Sequence, residues 1–441
     1  MLKRFWPLWA ISLLAKMFLS SVIPMTNDET YYWVWSQHPQ LSYFDHPPMV
    51  AWLLWLGHSF EFLGNAVRWP AVILGHLTIA VWYFIWRRYV SEDGHKFSWW
   101  LLLALFTPLF GFGSLLVTPD LPVLFFWSLS AYFFLGLTQN KKWSSYLLLG
   151  VSLGLGFCSK YHIVLFVLFA AVYLAKEKMW AVIFNRKTFA TIATGLLFSS
   201  PVLVWNFQNQ FESFLFQAHH GLGDSQYEFF WTWSYVLAQF LILSPPLVLA
   251  ALRCRLPAKI RVLAYLSWGP LAFFLLTSLR GSVEVNWPIV AYPSFFLLST
   301  LGSQVKKSIQ ITCIFWVIVF SVLVSQTITP WIPFAPEKIN ELSEFEPLLA
   351  AQTKYQPFYA SSYQMASWLY YTTKTPIKKF PGISRVDFFD RLDSELPETY
   401  PIYIAIKEYT SMPEWLTQEN YKITTVEKLN RGLIIVRIDK P

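Results

Sequence analysis

The sequence predicts an α-helical multi-pass membrane protein that ends in a small extracytoplasmic α/β domain. Three observations lead there. Of 441 residues, 55% are hydrophobic and only 14% charged, against about 25% charged in ordinary soluble domains. Aromatic residues make up 19% of the chain, with 23 Trp, a load that suits the membrane–water interface, where ring bodies meet headgroups. Apolar windows of spanning length recur along residues 1–330 and then stop.

The windows come first. About eleven of them, each close to the ~17–25 residues a spanning helix needs, lie near 5–24, 66–86, 98–117, 121–138, 143–159, 161–176, 188–205, 232–252, 259–279, 287–303 and 309–330. The start, "MLKRFWPLWAISLLAKMFLSSVIP", is basic and then apolar, as a signal peptide is. It holds Lys16 and no clean small-x-small cleavage site, so an uncleaved first span is expected. The shorter segment 49–64 carries His58 and Glu61 and reads as an interfacial helix.

Charge then orients the bundle. With the N-terminus in the cytoplasm, seventeen Lys and Arg before residue 331 fall on cytoplasmic segments and only Arg68, Lys160 and Arg280 on the other side. That is the positive-inside asymmetry, and it assigns the net charge of +8 to cytoplasmic loops rather than to nucleic-acid binding. Acids run the other way: nine of the twelve Asp and Glu in this part fall outside, together with six histidines. A bacterial inner membrane is the expected location.

After Pro330 the composition changes. Residues 331–441 hold 13 Lys and Arg and 14 Asp and Glu, with no Cys or His. "PIYIAIKE" and "RGLIIVRI" read as strands and "SSYQMASWLYYTT" as a helix. Two domains are expected, 1–330 in the membrane and 331–441 outside it. Cys158, Cys254 and Cys313 show no metal-site or disulfide spacing.

The outer segments gather the chemistry. Asp28 and Glu29 follow the first span among Tyr31, Tyr32, Trp33 and Trp35, a setting in which a carboxylate can act as a base; a helix cap explains the pair equally well. In "YFDHPP", Tyr43 to Pro48, the prolines stiffen a turn that presents Asp45 and His46. In "VTPDLP", Asp120 sits between prolines at the outer end of a span, where it also suits a helix start. Lys160 in "GLGFCSKYH" ends the fifth span beside Tyr161. It can balance the acids or hold a lipid-linked phosphate at headgroup level. "FQAHHG" supplies His219 and His220, and "LRGSVEVNWP" supplies Arg280, Glu284, Asn286 and Trp287. None is diagnostic singly; their common side is the informative fact.

As a set, "TNDETYYW", "YFDHPPMVAWL", "TPDLPVLFFW", "GLGFCSKYHIVL", "SPVLVWNFQNQFESFLFQAHHG" and "VEVNWPIVAYP" resemble the GT-C superfamily of membrane glycosyltransferases. Within it they are most similar to the dolichyl-phosphate-mannose protein mannosyltransferases and the bacterial lipid A aminoarabinose transferases. The likeness covers about 1–300. It implies a GT-C-like fold, a polyprenyl-phosphate sugar donor, an inverting transfer and an active site under the outer loops. The family's catalytic acid falls on Asp28, and its second loop acid and adjoining base on Asp45 and His46. The aminoarabinose branch has Tyr-Phe-Glu-Lys-Pro where this chain has Tyr43-Phe44-Asp45-His46-Pro47, and an arginine where Tyr31 stands.

The resemblance implies a division of labour. Asp28, with Glu29 and Asp45, makes up the catalytic set, Asp28 accepting or orienting the acceptor's proton. His46, Lys160 and Arg280 bind the donor phosphate. Tyr31, Tyr43, Asp120, Tyr161, His219, His220, Glu284, Asn286 and Trp287 bind substrate, the rings stacking on sugar and isoprenoid. Asp45 with His219 is a candidate site for a divalent cation. The acceptor is an extracytoplasmic lipid, glycan or protein. A lipid or sugar transporter remains the alternative. Transporters show repeats and polar groups near the midplane, whereas here charges sit at span ends on one side. A mere anchor for the C-terminal domain leaves the acidic outer loops unexplained.

Overall fold

The computed structural model describes residues 5–91, 94–222, 226–302, 306–329, 331–332, 341–392 and 399–441. It divides into two compact units. The first is Met1–Ile23 with Leu41–Val322, and the second is Pro24–Gln40 with Leu323–Pro441. The sequence drew a boundary at residue 330. The second unit begins slightly earlier and also takes in the first outer segment.

The first unit is all helix. In chain order it contains α1 (Phe5–Val22); α2 (Asn27–Gln37) belongs to the second unit; then come α3 (Met49–Gly57), α4 (Trp69–Ile85), α5 (Gly94–Phe106), α6 (Asp120–Asn140), α7 (Trp143–Phe157) and α8 (Val164–Lys176). There follow the short α9 (Trp180–Ile183), then α10 (Arg186–Gln208), α11 (Glu212–Leu222), α12 (Phe229–Leu243), α13 (Pro245–Arg253), α14 (Val262–Thr277) and α15 (Tyr292–Leu301). α16 (Lys306–Ile328) closes the series. Among the described residues, five helices are long and apolar enough to cross a membrane. Two further pairs, α5 with Pro108–Leu115 and α12 with α13, are bent by 69° and 82°. Both breaks fall at an X-Pro step, Thr107-Pro108 and Ser244-Pro245, where proline removes a helix hydrogen bond and drives its predecessor from the α region. The remaining sequence windows coincide with shorter apolar helices over Trp143–Phe157, Tyr161–Lys176, Val262–Thr277 and Trp287–Leu301. Each window thus lies on an apolar helix, and Met49–Leu63 is the short apolar helix expected at the interface.

Burial grades across these helices. α1 exposes Leu8, Ile11, Leu14 and Phe18, an apolar surface that lipid satisfies and water does not. α6 is largely enclosed, with Val123, Leu124, Trp127 and Leu135 buried. α7 and α10 approach closely through Gly150 and Gly154. A Cβ on Gly150 would stand 2.3 Å from the Thr191 carbonyl oxygen, and one on Gly154 2.6 Å from that of Gly195. This small-xxx-small contact fixes the end of α7, from which Lys160 projects.

The second unit is α/β. Its five strands are β1 (Phe358–Ala360), β2 (Lys378–Lys379), β3 (Ile402–Lys407), β4 (Lys422–Lys428) and β5 (Leu433–Asp439), in sheet order β2-β1-β3-β5-β4. β2, β1 and β3 run parallel, and β5 pairs antiparallel to both β3 and β4. Its helices are α2, α17 (Leu348–Lys354), α18 (Tyr363–Thr373), α19 (Phe388–Leu392) and α20 (Glu414–Gln418). Ile402, Ile404, Ile406, Ile434, Val436 and Ile438 build one core face, as the alternation of the two predicted strands requires.

Candidate functional site

In the first unit, the chemistry converges on Asp120. It opens α6, where a carboxylate is favoured by the helix dipole. Lys160 Nζ donates to Asp120 Oδ1 across 2.7 Å, and Asn286 Nδ2 donates to Oδ2 across 2.5 Å. Lys160 and Asp120 are 6% and 5% exposed. A buried pair stands against its desolvation cost only when further hydrogen bonds complete it, and Asn286 provides one. Three segments distant in sequence are joined here: the start of α6, the link after α7 and the turn before α15. Of the three N–H donors of an ammonium, Asp120 accepts one from Lys160.

An apolar cavity of about 470 Å³ lies alongside, walled by Phe157, Tyr161, His162, Phe214, Phe274 and Trp287 among others. Its lining includes the residues that directly follow Lys160 and Asn286 in sequence. The volume falls within the ~300–1,000 Å³ of small-molecule sites. Tyr161 is held by its hydroxyl, 2.8 Å from Ser213 Oγ. His162 sits edge-on to Phe274 and Trp287, at ring distances of 5.1 and 5.8 Å. Among the described residues, its buried Nδ1 finds no hydrogen-bond partner. Lys160 and His46 both act on His162 electrostatically. Asp45 is 4% exposed, and its carbonyl accepts from Gln217 Nε2 across 2.6 Å. Phe44 packs on Phe216, with ring centroids 4.7 Å apart. α11 thereby holds the Tyr43–Pro48 turn, in which Tyr43 is fully buried.

Other expected residues are exposed. Arg280 and Glu284 lie in the segment after α14, and the Glu284 carbonyl accepts from the Trp287 N–H across 3.1 Å. His219 is exposed on α11, and the side chain of His220 lies outside the described residues. Among the described residues no group of three or more His, Cys, Asp or Glu side chains could hold a metal ion. No step below uses a divalent cation on Asp45 and His219.

The first outer segment folds as α2, and its residues serve different ends. Thr26 caps the helix: its hydroxyl accepts from the Glu29 N–H, and Glu29 Oε2 accepts from the Thr26 N–H across 3.0 Å. Glu29, expected in the catalytic set, is thus fully buried in a capping box. Asp28 beside it is exposed. The rings, expected to stack on substrate, pack instead on the C-terminal residues. Tyr31 is 2% exposed, its hydroxyl accepts from the Phe388 N–H across 2.9 Å, and its ring lies 4.3 Å from that of Tyr363. Trp33 meets Tyr370 and Tyr371 edge-on and carries Lys374 Nζ 4.3 Å from its ring centre. Thr30 and Ser367 hydroxyls lie 3.2 Å apart. Beneath α19, Lys379 is buried between Asp387 and Asp390, at 2.7 and 2.5 Å. Burial pushes the Asp387 carboxyl up to about 6, against the pull of Lys379. Burial also pushes the His38 imidazole down.

Sequence reasoning missed Gln217, the orphaned His162 nitrogen and the Phe214–Phe274 wall. Gln217 stood in the quoted "FQAHHG", but an amide carries no signal until its partner carbonyl is known.

Comparisons with known proteins bear on the fold and the sequence. The family model described as dolichyl-phosphate-mannose-protein mannosyltransferase matches residues 45–205. A lipid A galacturonosyltransferase, RgtD, from Rhizobium johnstonii (strain DSM 114642 / LMG 32736 / 3841) is 25% identical over 288 residues. The match covers 62% of this chain and 59% of that relative, so the chain matches under two thirds of its length. The crystal structure of ArnT from Cupriavidus metallidurans bound to undecaprenyl phosphate superposes with a TM-score of 0.69, covering 98% of both chains at 14% identity. Its apo form gives 0.68, covering 99% of this chain and 98% of that one at 13% identity. The chain is thus similar in fold to ArnT over nearly its whole length, and similar in sequence to the mannosyltransferase family model over residues 45–205.

Proposed function

We propose that the protein transfers a sugar from a polyprenyl-phosphate donor to an extracytoplasmic lipid acceptor of the lipid A kind, with inversion. The observation that carries this reading is the buried Lys160–Asp120–Asn286 group beside a 470 Å³ apolar cavity. A phosphate on a long isoprenoid needs that pairing: a cation for the headgroup and an apolar wall for the chain. The ArnT neighbour binds undecaprenyl phosphate and the RgtD relative acts on lipid A, which favours a lipid over a protein acceptor.

The donor already carries its leaving group. The acceptor hydroxyl attacks the anomeric carbon from the face opposite the phosphate. The carbon–oxygen bond to phosphate breaks and its electron pair leaves with the phosphate. Lys160 and His46 stabilise that charge. A carboxylate takes the proton of the attacking hydroxyl, help that is typically worth about 10²–10⁴-fold, and the family resemblance gives that role to Asp28. Glu29 holds the helix start that presents it. The charge asymmetry of the loops supports a cytoplasmic N-terminus with the second unit outside. Purified protein given a radiolabelled polyprenyl-phosphate sugar should move label to lipid A and not to peptide. Label on peptide alone would replace the acceptor, and label on neither with a panel of donors would remove the transferase reading.

A further inference from the structure

A second cavity lies wholly within the second unit. It measures about 240 Å³ and is lined by Asn27, Glu344, Phe345, Ser361, Ser362, Gln364, Met365, Ile383, Ser384, Lys407 and Thr410. Its position follows from the sheet. β1 leads through α18 to β2 on one side, and the chain then returns to β3 on the other, so the strand order reverses about β1. Ser361 and Ser362 follow β1, Ile383 and Ser384 follow β2, and Lys407 and Thr410 end or follow β3. The cavity therefore opens at the carboxyl ends of three parallel strands, where the order reverses, which is where open α/β sheets bind ligands.

The lining says what would fit. Hydroxyls and amides predominate, and among the described residues the buried Ser384 Oγ finds no hydrogen-bond partner, a group that a ligand hydroxyl would satisfy. Lys407 Nζ is paired with Glu344 across 2.6 Å, and the other polar residues of the lining are neutral. Phe345, Met365 and Ile383 supply an apolar side. At a water's share of ~30 Å³, the space equals about eight waters, close to the bulk of one sugar ring. Asn27 in the wall directly precedes Asp28 on α2.

We infer that this cavity is a saccharide subsite of the C-terminal unit, holding one neutral, hydroxylated sugar ring of the acceptor near the helix that carries Asp28. Its assignment to the acceptor rests on the transferase reading; the binding itself does not. The test uses the full-length protein in detergent. Saturation-transfer NMR with methyl glucosaminide and methyl glucoside, with inorganic phosphate as a control, should show saturable binding of a glycoside and none of phosphate. Ser384→Phe, which fills the cavity, and Gln364→Ala, which removes a lining amide, should each weaken glycoside binding by at least about tenfold with little change in thermal midpoint. In transfer assays both should raise the acceptor KM and leave the donor KM unchanged. Failure of the wild type to bind a glycoside, or unaltered binding in both variants, overturns the subsite. Glycoside binding without transfer upholds it, and the failure then falls on the transferase reading alone.

Discussion

Lys160 and Asp120, forty residues apart in sequence, form a buried ion pair across 2.7 Å between the link after α7 and the start of α6. The pair is the charge-balancing role, one of the two the sequence offered for Lys160. It balances a buried acid, and Asp120 accepts one of its three N–H donors.

Removing either partner should therefore cost stability as well as function. Lys160→Met or Asp120→Leu leaves one charge buried and unpaired, at about 3–5 kcal/mol. The double substitution should recover much of that loss in thermal midpoint while still lacking donor affinity. Additive losses in the double variant would show that the pair is not coupled.

Glu29 and Asp28 should separate cleanly. Glu29→Ala breaks the capping box and should lower stability by about 0.5–2 kcal/mol. Glu29→Gln, which can still accept from the Thr26 N–H, should retain both stability and transfer. A Glu29→Gln protein that folds normally but has lost turnover would give Glu29 a chemical role.

Tyr31→Phe should behave as a structural lesion. The buried Phe388 N–H loses its acceptor, a cost of about 1–3 kcal/mol. The thermal midpoint should fall while the KM values for donor and acceptor hold. A changed KM at unchanged midpoint would return Tyr31 to the substrate.

Asp387 sets a pH dependence. Its carboxyl is raised from an ordinary 3.8 to about 6 by burial. Between these values the folded protein holds a proton that the unfolded chain has released. Its contribution to stability is thus full below about pH 4 and is lost as pH rises through about 6. Asp387→Asn removes that slope, so its midpoint should gain on the wild type as pH is raised from 4 to 7. Parallel pH curves for the two proteins would contradict the assignment.

The membrane part was readable because spanning helices need length and apolarity alone, and both are local properties. Lys160, Asp120 and Asn286 could be named from their shared side. Their joining could not, since it brings together the start of α6, the link after α7 and the turn before α15, which are distant in sequence. The first outer segment shows the other limit. Aromatics beside carboxylates look alike whether they face a sugar or a protein helix, and only α18 shows that Tyr31 and Trp33 face protein. A helix cap is one of the two readings the sequence offers for Asp28 and Glu29, but only the folded capping box assigns the cap to Glu29 and separates the two acids. The sheet order 2-1-3-5-4 rests on long-range pairing, which strand patterns do not carry.

The most direct measurement is single-turnover transfer of labelled sugar from a polyprenyl-phosphate donor by purified wild-type and Asp28→Asn protein, matched for thermal midpoint. Because Asp28 is exposed at the start of α2 and the cap uses Thr26 and Glu29, the substitution should leave folding intact and slow transfer by about 10²–10⁴-fold. A folded Asp28→Asn protein that transfers at the wild-type rate would contradict the role given to this carboxylate and the mechanism built on it.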